Sequence, residues 1–589
     1  TTEGTVMLKN IRYGSEGAGI KSPVAVGTEL FFVANDGVHG PELWKSDGTL
    51  NNTVMVKDIL NGNFGTGPTS ILLVNGVLYF SADNGTNGRE LWKSDGTDAG
   101  TSMVKDIRDG STSSSPTELE NVNGTIYFSA TMDGNGTELW RTNGTGPGTS
   151  LVKDIALGTL SSFPQQLVNL NGTLYFTAST NANGRELWKS DGTNAGTVMV
   201  KDIFPGATGS GATNLVAMNG NVYFTANDGV DGIELWKSDG TAAGTVKVKN
   251  INPTGSSTPL NLIALSNVLY FTASDGANGI ELWKSDGTDA GTMLVKDIYP
   301  GAASAAPVNL AAYNGMLYFS AADNIGGYEL WKTDGTSAGT VMVKDIAAGI
   351  ASSLPANLSV VNGSLYFSAN DGINGNEIWK TDGTAAGTVL VQDVNAGNAN
   401  SDPGNITAVS NKLFFSATIT VNGREYGQEL WSEIFNTLPV RLLSFTGSHE
   451  KNVNRISWKV SNEVDVKQFS LERSSDGRNF NSIAVIASKG NGTNNYNYDD
   501  AATDAIVYYR LKMADIDGSF TYSNIISLSG KAGVLNLYPN PVIDKATLQL
   551  ASREQLNTTA ALLDMNGKAI RRYSITNMQE IIDVSNVPA

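Results

Sequence analysis

Asn214 to Ile251 reads NLVAMNGNVYFTANDGVDGIELWKSDGTAAGTVKVKNI, and its turn signals divide it into four short strands. LVAM ends at Asn219-Gly220, NVYFTA at Asp228-Gly229-Val230-Asp231-Gly232, GIELWK at SDGTAAGT, and VKVKNI closes the unit. Asn-Gly between apolar runs signals a hairpin, because a type I′ turn needs positive φ at both central residues. The second strand is apolar on both faces, with Val222 and Phe224 on one side and Tyr223 on the other. That suits a sheet pressed between two neighbouring sheets. The fourth strand alternates Val246, Lys247, Val248, Lys249, the pattern of an outer edge, where lysines also discourage edge-to-edge pairing.

This unit recurs. A Glu-Leu/Ile-Trp tripeptide places Trp44, Trp92, Trp140, Trp188, Trp236, Trp283, Trp331, Trp379 and Trp431 at intervals of 48, 48, 48, 48, 47, 48, 48 and 52 residues. Four hairpin-linked strands in such a period define a β-propeller blade, since known blade repeats run from about 40 to 50 residues. The two ends are out of phase: GTVMLKNI (Gly4 to Ile11) is a fourth strand, and QELWSEIF (Gln428 to Phe435) is a third strand with no fourth after it. Pairing the two predicts a ring of nine four-stranded blades over residues 1–436. Eight closed blades plus an atypical one is the alternative.

Composition narrows the function classes. Forty Lys and Arg against 57 Asp and Glu leave a formal charge of −17, the opposite of a nucleic-acid footprint. The 65 glycines accord with many tight turns, and the absence of cysteine excludes disulfides, thiolate chemistry and Cys-based zinc sites. His39 and His449 are the only histidines; they read as surface residues in a turn and in a downstream domain. No apolar run approaches a membrane span of about 18 residues. No signal peptide opens the chain, and Thr1 reads as the residue after a removed one.

The ELWKSDGT…GT…VKDI residues resemble the ELWxxDGT repeat of surface and secreted proteins of Bacteroidota. From Val440 to about Leu528 single strands follow, RISWKV, QFSLERSSDGRNFNSIAVI and VYYRLKMADIDGSFTYSNIISL, with turns at Ser475-Asp476-Gly477 and Asp515-Ile516-Asp517-Gly518. Trp458 sits mid-strand among period-two apolar neighbours, as in a sandwich core. This stretch, 437–530, resembles a fibronectin type III-like module. Residues 531–589 carry VLNLYPNPVIDKATLQL, AALLDMNGKAI and IIDVSNVPA and resemble the type A C-terminal sorting domain of type IX secretion cargo. Tyr538, Pro539, Asn540, Pro541, Asp564 and Gly567 carry that likeness. The family continues past Pro-Ala with a further strand, so the last strand is expected to be missing here. The resemblance implies recognition by an outer-membrane type IX translocon and shuttle protein, then removal by a sortase-like peptidase, with export to the cell surface or medium.

Three acidic patterns are candidates for chemistry. A glutamate precedes each Leu/Ile-Trp (Glu42, Glu90, Glu138, Glu186, Glu234, Glu281, Glu329, Glu377, Glu429), and most units add an Asp-Gly turn and a Lys-Asp pair. A catalytic centre is one constellation with differently tuned groups, and these are copied round the chain, so they read as structural, the Glu and Lys as inter-blade pairs. The second-to-third-strand turns hold Asp36, Asp228, Asp275 and Asp371; tight-turn chemistry explains them, and a structural calcium is the alternative. These turns share a face with the variable links between blades, the candidate binding face. Glu118 and Glu120 in TELENVNG are expected on the same side of an innermost strand. The expectation is an exported, non-enzymatic interaction or adhesion protein with no cofactor, its surface protein or glycan ligand undefined; a carbohydrate-binding lectin and a glycan-hydrolysing enzyme are the alternatives.

Overall fold

The computed structural model describes residues 5–63, 65, 67–421, 423–434, 441–450, 453–461, 463, 466–490, 493–501, 506–515, 520–528, 536–538, 544–550, 556–563 and 569–585. It divides into two compact units, Thr1–Phe435 and Asn436–Ala589. Every element among the described residues is a β-strand.

The first unit is a β-propeller of nine four-stranded antiparallel sheets. Blade 1 runs outward through Lys21–Val26, Glu29–Asn35, Pro41–Ser46 and Val54–Lys57, and blades 2 to 8 repeat it in chain order. Blade 9 takes its inner three strands from Gly404–Val409, Lys412–Val421 and Arg424–Ile434. Its outermost strand is Thr5–Lys9, antiparallel to the third, with Met7 opposite Trp431. Innermost strands touch their neighbours round the whole circle, blade 9 against blade 1 included, so the ring has no free edge between first and last blades.

The core lies between blades. Each second strand presents a fully buried Phe opposite the Trp of the third, as in Phe80↔Trp92 and Phe319↔Trp331. Trp331 then packs with Tyr270, Leu282, Val295 and Ile298 of blade 6. Burying each large apolar side chain contributes about 1.5–3 kcal/mol, and the pattern recurs at every interface. Each innermost strand carries a bulge. Its second residue stands at positive φ in all nine blades: Ser22, Ser70, Glu118, Gln166, Asn214, Asn261, Asn309, Asn357 and Asn405. Asn tolerates that conformation better than most residues because its short amide bonds locally.

In the second unit, a three-stranded sheet (Arg441–Glu450, Val453–Ser461, Thr493–Asp500) and a larger one built on Val466–Ser474 and Val507–Asp515 enclose one core. Trp458 sits at its centre, stacked on Tyr496 at 5.4 Å and beside Phe469. The turn expected at 515–518 lies largely outside the described residues. Toward the end of the chain, Asn536–Tyr538, Lys545–Gln549 and Gln579–Asp583 form one small sheet, and Thr558–Leu563 pairs with Ala569–Ile575. Leu548, Leu550, Ile575 and Ile582 form their shared core.

Candidate functional site

The repeated glutamates are fully buried, and none of them meets a lysine. Each instead accepts hydrogen bonds from the link that leaves its blade for the next. Glu138 takes Ile155 N at 2.9 Å, Ala156 N at 3.3 Å, Ser162 N at 2.9 Å and Ser162 Oγ at 2.6 Å. Glu329 and Glu377 repeat this on Ser353 and Ser401. Glu281 and Glu429 keep the backbone donors but face Ala305 and Ala18 where Glu90, Glu138, Glu186, Glu234, Glu329 and Glu377 find serine. Glu429 takes Ile11 N and Arg12 N, so the ring closes through the same clamp. Burial pushes all nine carboxyls upward against these hydrogen bonds, to about 7 at Glu42, Glu281, Glu377 and Glu429.

The repeated lysines have different partners. In five blades the Lys after Trp donates to the next blade's third-to-fourth-strand turn, as Lys93 does to Gly144 O at 3.0 Å and Lys332 to Gly383 O at 2.8 Å, while Lys45 pairs with Glu29. The Lys of the outermost strand reaches the same turn, Lys105 to Thr149 O and Lys344 to Thr388 O. Lys344 Nζ also lies 5.6 Å from the Trp379 ring centroid. The expected Glu–Lys pairing is thus replaced by two separate contacts with backbone. A buried carboxylate is better satisfied by several fixed N–H donors than by one mobile ammonium.

The Asp-Gly turns are internally bonded. Asp95 accepts from the backbone and hydroxyl of Thr97, while the Thr97 hydroxyl in turn accepts Gly100 N. A Cβ at Gly100 would overlap the Asp95 carboxylate. On the other face, Asp36, Asp228, Asp275 and Asp371 each fold their own loop. Asp371 accepts Ile373 N, Asn374 N and Asn374 Nδ2, and Asp275 does the same with Ala277 and Asn278. Asp36 holds His39 through its backbone and ring. For Asp228, burial acts upward, but bonds from Lys247 and the Asp231 and Val230 amides prevail and bring it to about 2. Among the described residues no group of three or more His, Asp or Glu could hold a metal ion.

Glu118 and Glu120 turn to the same side: the positive φ of Glu118 marks the bulge, and both side chains reach the innermost strand of blade 4. Glu118 Oε2 accepts Gln166 N at 2.6 Å, and Asn169 N donates to Glu120, whose carboxyl burial raises. The bulge asparagines also bridge blades, as donors. Asn261 Nδ2 donates to Pro307 O, Asn309 to Pro355 O, Asn357 to Pro403 O, and Asn405 to Ile20 O across the closure. Sequence reasoning missed this belt, although Asn-Leu or Asn-Ile recurs at the blade period from Asn214 onward. An open cavity of about 400 Å³ lies against it, lined by Gln166, Asn214 and Asn261 with Val168, Leu215 and Leu262.

The nine tryptophans are buried between blades. Exposed apolar side chains gather elsewhere, in the second-to-third-strand turns and the interblade links. Tyr13, Val38, Leu157, Val230, Ile325, Ile350 and Ile373 are each at least 64% exposed. Turns and links lie on one face, joined by bonds such as Asn35 N to Ala18 O and Asn370 N to Ser353 O. In the turns of the opposite face, Leu50 alone among the described residues is a large exposed apolar side chain.

In the second unit Tyr538 lies half-exposed on its short strand, its hydroxyl 3.4 Å from Gln579 Nε2. Pro539, Asn540, Pro541, Asp564 and Gly567 lie outside the described residues. Residues 536–589 match the family described as the secretion system C-terminal sorting domain. The chain thus carries a type IX sorting domain there, and the protein is exported across the outer membrane to the cell surface or the extracellular space. No curated protein matches the chain. Solved structures similar to it include a puromycin hydrolase (12% identity, 62% of this chain and 60% of that one, TM-score 0.33). Others are Sqt1 of Saccharomyces cerevisiae (11%, 61% and 94%, 0.33) and prolyl oligopeptidase B from Galerina marginata (10%, 77% and 56%, 0.36). The chain spans about 60% of the length of the hydrolase.

Proposed function

We propose that this type IX cargo is a non-enzymatic interaction or adhesion protein, whose propeller works at the cell surface or in the medium. The observation that carries this reading is the asymmetry of the ring, with exposed apolar side chains collected in the turns and links of one face. Soluble proteins seldom display such side chains together unless a partner covers them. The repeated carboxylates and lysines are engaged in holding blades together, which removes the sequence's most obvious catalytic candidates from that face. The fibronectin type III-like sandwich serves as a spacer, and the sorting domain engages the translocon and shuttle before a sortase-like peptidase acts on it. Deleting residues 536–589 tests the export half of this reading. The truncated protein should accumulate folded in the periplasm, shielded from protease added to intact cells. Normal surface exposure of the truncated protein would refute it.

A further inference from the structure

Blades 7 and 8 hold the densest part of the apolar face. Ile325 projects from the turn of blade 7, Ile350 and Leu354 from the link between the blades, and Ile373 from the turn of blade 8. They are 71%, 88%, 61% and 72% exposed. The four belong to one continuous surface. Ser353 N and Leu354 N both donate to Tyr328 O at the base of the first turn, and Asn370 N donates to Ser353 O at the base of the second. Beside Leu354 opens a cavity of about 350 Å³ lined by Val308, Asn309, Tyr328 and Pro355.

The charge around this patch has one sign. The turns and links at 297–307, 323–327, 345–355, 371–376 and 393–403 contain Asp297, Asp323, Asp345, Asp371, Asp393 and Asp402, and no Lys or Arg. Among the described residues none of the six is in an ion pair, whereas on the same face of earlier blades Glu16, Asp133, Asp228 and Asp231 meet Arg12, Arg108 and Lys247. Five of the carboxylates accept hydrogen bonds from their own loops, as Asp323 does from Ile325 N and Asp345 from Gly349 N, and Asp402 accepts from Asn376 Nδ2, but no cation neutralises them. An apolar patch inside an uncompensated acidic rim complements a chain that places Lys or Arg beside apolar side chains, and repels polyanions.

We infer that the face of blades 7 and 8 docks a basic, apolar segment of a partner polypeptide. This rests on the interaction reading above and names the chemistry of the partner. The surface supplies apolar contact through Ile350 and Ile373, and the rim raises the encounter rate and selects the charge.

The test uses the full chain and three synthetic peptides of equal length, alternating Lys-Leu, all-Lys, and alternating Glu-Leu, with binding followed by calorimetry. The Lys-Leu peptide should bind, weaken as salt rises, and lose at least tenfold in affinity to the Ile350→Ser/Ile373→Ser double variant. Both substitutions are at exposed sites, so an unchanged unfolding midpoint is expected and is checked. Absence of binding, equal binding of the all-Lys or Glu-Leu peptide, or equal binding by the double variant would each overturn the inference. So would self-association of the wild-type chain that the double variant abolishes, because the occupant would then be a second copy. Peptide failure alongside export that still depends on residues 536–589 would sink this inference alone.

Discussion

Glu429 and its eight counterparts give the propeller an unusual expected response to pH. Each carboxyl is buried, and burial raises it from an ordinary 4.5, to about 7 at Glu42, Glu281, Glu377 and Glu429. Between those values the folded state retains a proton that the unfolded chain has released. Stability is therefore fully present below 4.5 and is lost as pH rises through about 7. Moving one carboxyl from 4.5 to about 7 corresponds to roughly 3 kcal/mol, at about 1.4 kcal/mol per pH unit. The turn aspartates act in the other direction but outside this window, because Asp95, Asp239 and Asp334 are held below their ordinary 3.8 by bonds from Thr97, Thr241 and Thr336. Urea unfolding followed by tryptophan fluorescence reads the propeller preferentially, since nine of the ten tryptophans lie in it. The midpoint should fall from pH 5 to about pH 7 and level off toward pH 8. Glu429→Gln, neutral at every pH, should be less stable at pH 5 and show a shallower fall. A wild-type midpoint that is flat or rises over that range would refute the reasoning.

Deleting residues 1–9 removes the outermost strand of blade 9 and leaves Arg424–Ile434 with an open edge; the thermal midpoint should drop and aggregation should appear, both measurable by light scattering during a melt. Gly100→Ala places a methyl group in the Asp95 carboxylate, and the turn must open to admit it; a loss of about 2–4 kcal/mol by urea titration is expected, against about 1 kcal/mol for Gly124→Ser, where nothing lies within 4 Å and positive φ is the only strain. Asn357→Ala removes a bond to Pro403 O and a left-handed residue that Asn tolerates, which should destabilise by about 1–2 kcal/mol without altering the strand content seen by circular dichroism.

The candidate site was legible in proportion to how local its signals are. Asp371 and Asp95 were readable as turn residues, because an Asp bonds amides two and three residues ahead of it. Glu118 and Glu120 were readable as neighbours on one side, but their bonds to the next blade were not, because the bulge at Glu118 that shapes them has no short-range signature. The Glu–Lys pairing was wrong for a related reason. Opposite charges at a fixed spacing suggest each other as partners, but only packing reveals that backbone amides of the departing link fill the glutamate's pocket first.

What the sequence determined by itself is the blade: four strands cut by Asn-Gly and Asp-Gly turns, apolar on both faces in the second strand, and repeated with each tryptophan. These are short-range properties, set by turn φ and side-chain alternation within a few residues. Tertiary structure alone decided what joins the blades and what faces solvent. Glu429 reaches Ile11 and Arg12 across more than 400 residues, and Asn405 reaches Ile20, contacts that exist only once the ring is closed. Ile325, Ile350 and Ile373 look in sequence like any other apolar residues. They become one exposed patch because the alternation of strand direction brings turns and links of adjacent blades to the same face.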